Sequence, residues 1–354
     1  MTSSGPNTPT RDAFEPGEIA LVISRYNLGP LRSVQPFRRG SSRSAKALIH
    51  THDGNAFLLK RLAHHTDTIE RVRFAQHIVQ SLRDRALPVA DIIQAKPLSR
   101  GDEPGWISHG QHKYVLYRYV SGEHYHHTPE QAKLAGRALA VFHTVAAEEP
   151  LDHAAYQPTY HDNANLPGHL DLIVKIIDSP SIAGVVEKLR KSYADASARA
   201  NASGVNDWPN QIIHGDWHPG NILFGPGSPP NLPTMIDLDT CRVSPRVIDL
   251  ANGAMQFSIT RKKDDPGTWP AELDFGLLNA FCTGYDSVNG AMISTGELHA
   301  LPWLMIEALI VESAVPIASS GRFAGIEGET FLQMICRKVS WLESTHERLI
   351  RALM

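Results

Sequence analysis

The segment Ile212-Ile213-His214-Gly215-Asp216-Trp217-His218-Pro219-Gly220-Asn221-Ile222-Leu223-Phe224 constrains this chain more than any other. Its glycines and its proline exclude a regular helix. An apolar entry, a polar loop and an apolar exit read instead as strand, turn, strand. Such a loop aims the Asp216 carboxylate and the Asn221 amide oxygen, five residues apart, at one point.

A second acidic strand follows, Met235-Ile236-Asp237-Leu238-Asp239. Kinase-type phosphoryl transfer needs a base and a metal-binding amide on one loop, with a metal-binding carboxylate a strand later. The order and spacing here match that need. His214-Gly215-Asp216-x-His218-x-x-Asn221, followed by Ile236-Asp237-x-Asp239, resembles the aminoglycoside phosphotransferase and choline kinase-like family. The resemblance runs from about Tyr26 to the C-terminus and is strong between Ile212 and Leu250. It implies an α+β, two-lobed protein kinase-like fold, with a small β-rich N-lobe and a larger, mainly helical C-lobe. It also implies ATP and Mg²⁺ as cofactors and a hydroxyl as acceptor.

Composition excludes several other classes. A net charge of -3 leaves no electrostatic footprint for nucleic acid or an anionic membrane. The three cysteines, Cys241, Cys282 and Cys336, are scattered and odd in number, which indicates neither a disulfide framework nor a zinc site. A reducing, cytoplasmic compartment is expected. The apolar run Leu301 to Ala318 carries Glu307, Glu312 and Pro316, so it reads as a core helix rather than a membrane span.

Residues 1–18, rich in Ser, Thr, Pro and Gly, read as a disordered tail. Residues 19–120 read as the nucleotide-binding N-lobe. A short helix spans Glu18 to Tyr26, and strands span Leu31–Phe37, Ala45–Thr51, Asn55–Leu62, Ala90–Ala95 and Tyr114–Val120. An Asp-Gly hairpin sits at Asp53-Gly54, and a helix runs from Ile69 to Arg85. Residues 121–354 read as the C-lobe, with the catalytic loop and the acceptor site. Its helices begin with Pro129 to Val145, capped by Thr128.

Asp216 is the candidate base, which would accept the proton of the acceptor hydroxyl. Asn221 and Asp237 are the candidate Mg²⁺ ligands, a sparse oxygen pair of the kind Mg²⁺ takes beside phosphates. Asp239 either reaches the metal or faces solvent. His214 and His218 stand four apart, but Gly215 and Pro219 argue against the helix that a zinc pair would need. The resemblance gives His214 a role in supporting the catalytic loop and His218 one in bracing the turn. It makes Asp249 an acceptor for loop backbone donors.

Lys60, near the end of the third strand, would hold the α- and β-phosphates. The Arg38-to-Ser44 turn offers one glycine, Gly40, and backbone amides through Ser44 that would cover the phosphates. Tyr119, where the chain crosses between lobes, would present backbone N–H and C=O groups to the adenine edge.

The main departure from the family pattern is the helix acid that should pair with Lys60. Ala75, Gln76 and His77 occupy its place, and Glu70 lies about a turn and a half too early. Either Glu70 pairs with a shifted helix or Gln76 supplies a hydrogen bond. The function expected is transfer of the γ-phosphoryl group of ATP to a small-molecule hydroxyl, a metabolite or an antibiotic. Neither a nucleic acid nor a membrane is expected as partner. The alternatives are a protein Ser/Thr kinase, and hence a protein substrate, or a nucleotide-binding pseudokinase. The lack of a dense acidic run in Leu151 to Asn210 argues against a polycationic aminoglycoside.

Overall fold

The computed structural model describes residues 13–39, 44–62, 68–96, 105–151, 157–225, 232–261 and 265–354. The chain divides into two compact units. One takes Met1–Glu123 and the returning segment Thr234–Asp239, and the other takes His124–Pro233 and Thr240–Met354.

The first unit is built on an antiparallel sheet in the order β1-β2-β3-β5-β4. Its strands are β1 (Leu31–Pro36), β2 (Lys46–Thr51), β3 (Ala56–Arg61), β4 (Ile107–His109) and β5 (His112–Arg118). The β2–β3 turn has Gly54 at φ 86°, a left-handed value that glycine adopts without strain, and Asp53 closes the turn by accepting from the Asn55 N–H at 3.3 Å. Alternation along β3 and β5 sends Phe57, Leu59, Tyr114 and Leu116 to one face. There they pack with Val22 and Tyr26, from and just beyond α1 (Pro16–Ser24). The other face carries Val115 and Leu62, which pack with Val72 of α2 (Ile69–Asp84) and with Trp106. Lys60, paired with Val115 across the ladder, belongs to this second face.

Two expectations change here. Helix α1 begins at Pro16, inside the stretch read as tail. A capping box between Glu15 and Glu18 starts it, and Glu18 Oε1 binds Arg61 at 2.7 Å and the Tyr114 hydroxyl at 2.5 Å. Ala90–Ala95 is not a strand. It makes one isolated bridge, Ile92 to Tyr117, beyond the half of the β5 edge that β4 holds, with the Ile93 N–H donating to the Leu116 carbonyl at 2.8 Å and the Arg118 N–H to the Asp91 carbonyl at 2.7 Å.

The second unit is mainly helical: α3 (Pro129–Ala146), α4 (Leu166–Ile176), α5 (Ile182–Ala202), α6 (Val247–Ser258), α7 (Phe275–Asp286), α8 (Thr295–Ser320) and α9 (Gly328–Leu353). Thr128 caps α3 by accepting from the Gln131 N–H at 3.2 Å. A two-stranded ladder, β6 (Asn210–Ile213) with β9 (Arg242–Pro245), carries the entry to the His214–Asn221 loop. A short strand, β7 (Ile222–Leu223), follows the loop in this unit, while β8 (Thr234–Met235) belongs to the returning segment of the first unit. Helix α8 is long and apolar enough to cross a membrane, yet 83% of its most apolar window is buried within the protein.

Candidate active site

In the second unit β6 ends in two fully buried residues, Ile212 and Ile213, and this anchors the entry to the loop. Asp249, in the first turn of α6, accepts the His214 N–H at 2.6 Å and the Gly215 N–H at 2.9 Å. It is 2% exposed, and those two donors satisfy a carboxylate that burial would otherwise penalise. His143 stands behind it, with Nε2 3.4 Å from Asp249 and Nδ1 2.7 Å from the Tyr285 hydroxyl. Gly215 sits at φ 78°, and a Cβ there would come 2.6 Å from the Thr240 carbonyl oxygen, so the bend requires glycine.

The loop beyond Gly215 is held by its own side chains. His214 is fully buried, and its Nδ1 accepts the Asp216 N–H at 3.3 Å. His218 Nδ1 accepts the Gly220 N–H at 2.9 Å, which closes the turn, while its Nε2 lies 3.5 Å from Asp216 Oδ2. The Asn221 amide donates to the Asp216 carbonyl at 2.9 Å and to Asp216 Oδ2 at 3.0 Å. With its amide nitrogen turned to Asp216, Asn221 has its side-chain oxygen on the other side of the amide. The Asp216 side chain is 39% exposed, whereas Asn221 is buried. Trp217 is core, edge-on to His214.

The same unit holds a cleft lined by Gln256, Trp269, Glu312, Phe323 and Phe331, with Lys338 at its side. Glu312 accepts from the Gln256 amide at 2.8 Å. Burial, reinforced by the nearby Asp216 charge, pushes its carboxyl from 4.5 up to about 7. In the sequence Glu312 stood out only as a charge unsuited to a membrane. The cleft forms from α6, α8, α9 and their connections, which no local pattern brings together. A second acidic group, His161, Asp162 and Glu307, has metal-ligand chemistry, but hydrogen bonds engage both His161 ring nitrogens, to Glu307 at 2.7 Å and to Asn201 at 3.1 Å.

In the first unit the Lys60 ammonium, 8% exposed, lies 2.7 Å from Asp237 Oδ1 and 2.6 Å from Asp239 Oδ2. Burial alone would lower the lysine, but Asp239 and then Asp237 override it and hold it well above its ordinary value. Burial alone would likewise raise Asp237, and Lys60 with Lys46 holds it well below the usual carboxylate range. Asp237 adopts φ 63°, a left-handed value uncommon outside glycine that marks a constrained turn. Both carboxylates therefore turn to the lysine, and Asp239 does not face solvent.

Neither α2 acid makes this contact: Glu70 is exposed and its carboxyl interacts with Thr68, Arg73 and Lys113. Ser44 donates its hydroxyl to the Arg61 carbonyl at 2.5 Å and so closes the sheet. The Tyr119 N–H donates to the Ala56 carbonyl at 2.9 Å, so it extends the β3–β5 ladder and is not open to an adenine edge. Its ring meets Phe37 edge-on at 6.1 Å. Gly40 lies outside the described residues.

A β-rich unit with a buried lysine between two aspartates, and a helical unit with a braced Asp–Asn loop, define a kinase-like phosphotransferase. The sequence matches the family model for the phosphotransferase enzyme family over residues 33–290, and the chain belongs to that family. Among solved structures, it is similar to an aminoglycoside phosphotransferase from Alicyclobacillus acidocaldarius at 15% identity and TM-score 0.64, over 99% of this chain and 96% of that one. It is similar to a microcompartment-associated aminopropanol kinase at 14% identity and TM-score 0.68, over 92% and 96%. A spectinomycin phosphotransferase solved with ADP and spectinomycin matches at 14% identity and TM-score 0.62, over 93% and 97%. These likenesses establish the fold. A comparison with curated proteins finds no match.

Proposed function

We propose that this protein transfers the γ-phosphoryl group of ATP to a hydroxyl of a small molecule. The carrying observation is Asp216, a carboxylate open to solvent on one side and fixed on the other by the Asn221 amide at 3.0 Å. A base so placed accepts the hydroxyl proton as the oxygen attacks phosphorus, and holds that oxygen in line.

Lys60 would neutralise charge on the non-transferred phosphates, and Asn221 with Asp237 would hold Mg²⁺. Their donors are oxygens only, as Mg²⁺ prefers, and the ion would supply positive charge against the charge that develops on the phosphates. The structural relative solved with ADP supports a nucleotide as donor. The cleft beside Glu312 supports a small acceptor, since its aromatic walls and single carboxylate suit a compact molecule with one polar end.

Transfer from γ-labelled ATP and Mg²⁺ to a panel of amino alcohols, other hydroxyl metabolites, aminoglycosides and protein substrates tests the proposal. Label on one class of small acceptor is the expected result. Label on protein alone would replace the reading with a protein Ser/Thr kinase. No transfer with tight Mg²⁺-ATP binding would make the chain a pseudokinase.

A further inference from the structure

A buried lysine that is to stay charged needs polar partners, a carboxylate being the strongest, to hold it in place before substrate arrives. In kinase-type sites that partner is an acid on the helix behind the sheet. Helix α2 cannot supply it here. Its acids, Glu70 and Asp84, are exposed at opposite ends. The part of the helix that faces the sheet carries Val72, Ala75, Gln76 and Val79, which line a small cavity with Leu62, Val115 and Asp239. Gln76 Nε2 is buried in it without a hydrogen-bond partner among the described residues. The amide thus occupies an acid's place without doing an acid's work. The charge comes instead from the returning segment, with Asp239 Oδ2 2.6 Å and Asp237 Oδ1 2.7 Å from the Lys60 ammonium, of which only Asp239 lines the cavity that Gln76 enters.

We propose that Asp239 is the positioning residue for Lys60, doing from the Asp-x-Asp segment what a helix acid does elsewhere, and leaving Asp237 to the metal. The proposal rests on the kinase reading above. It explains how the chain dispenses with a helix acid: the anchor has moved to the other wall of the same cavity. Gln76 and Asp239 line that cavity together, so a carboxylate restored at residue 76 is expected to make up for one lost at residue 239. A metal ligand could not be replaced in this way.

The test compares wild type, Asp239→Asn, Gln76→Glu and the double variant in three readouts, with folding checked by thermal melting. The first is kcat against KM for ATP, and the second is the Mg²⁺ concentration for half-maximal rate. The third is acylation of Lys60 by acetic anhydride in nucleotide-free protein, measured by mass spectrometry. Asp239→Asn is expected to lower kcat roughly 10- to 100-fold, as loss of a positioning contact does, with the Mg²⁺ midpoint unchanged and Lys60 acylation clearly faster. The double variant is expected to regain most of the rate and of the protection.

A shifted Mg²⁺ midpoint with no recovery by Gln76→Glu would overturn the proposal and make Asp239 a metal ligand. Unchanged kcat and unchanged Lys60 acylation in Asp239→Asn would also overturn it. If Asp239→Asn fails to fold, Asp239→Ser is read in the same assays. A wild type that transfers no phosphoryl group would defeat the kinase reading, while the acylation arm would still decide the anchor.

Discussion

At the residue scale, the two units use carboxylates in opposite ways. Asp237 and Asp239, both half-buried, meet the buried Lys60 ammonium, and the lysine holds the Asp237 carboxyl well below the usual carboxylate range. Glu312 is turned into a cleft, where it accepts from the Gln256 amide, and burial holds its proton on up to about pH 7. A carboxyl raised in the folded state contributes stability in full below its unfolded value and loses it as pH rises through the folded one. Between pH 4.5 and about 7 the wild type should therefore lose stability relative to Glu312→Gln, by up to roughly 3 kcal/mol. Urea unfolding of both proteins at pH 4.5, 6 and 8 checks this. A difference that is constant with pH would contradict the assignment.

At the element scale, α3 and α7 cross so closely that each uses a glycine. A Cβ on Gly136 would lie 1.9 Å from the Phe281 carbonyl oxygen, and one on Gly284 would lie 2.0 Å from that of Lys133. Both obstacles are backbone, so no side chain can move aside. Gly284→Ala should cost roughly 1–3 kcal/mol or more by overpacking, read as a lower urea midpoint with unchanged slope. An unchanged midpoint would mean that the helices separate freely. The helices themselves were legible, because the apolar period marks α2 and α3, Thr128 caps α3 and Asp53-Gly54 forms the hairpin. The three-residue strand β4 is too short to show a period, and Ala90–Ala95, which has the composition of a strand, meets the β5 edge in a single bridge at Ile92. The Lys60–Asp239 contact spans 179 positions of sequence, so spacing could suggest that an acid was needed but not which one supplied it. The Tyr119 N–H was misread for a similar reason: only the ladder to Ala56 shows it to be engaged.

At the scale of the whole molecule, the chain leaves its β-rich unit after Glu123, builds the braced loop in the helical unit, and returns to the first unit for Thr234–Asp239. Each unit thus holds a different part of the proposed chemistry: the first holds Lys60 with Asp237 and Asp239, the second Asp216 with Asn221. Apolar helix α8 serves as core for the second unit and contributes Glu312 to the cleft. The account stands or falls on Asp216. The most direct measurement is the turnover of Asp216→Asn beside its Mg²⁺-ATP affinity, with the acceptor found in the labelling panel. The account predicts a loss of turnover of about 100-fold or more with affinity nearly intact. Turnover equal to wild type would remove Asp216 from the mechanism and contradict the central claim.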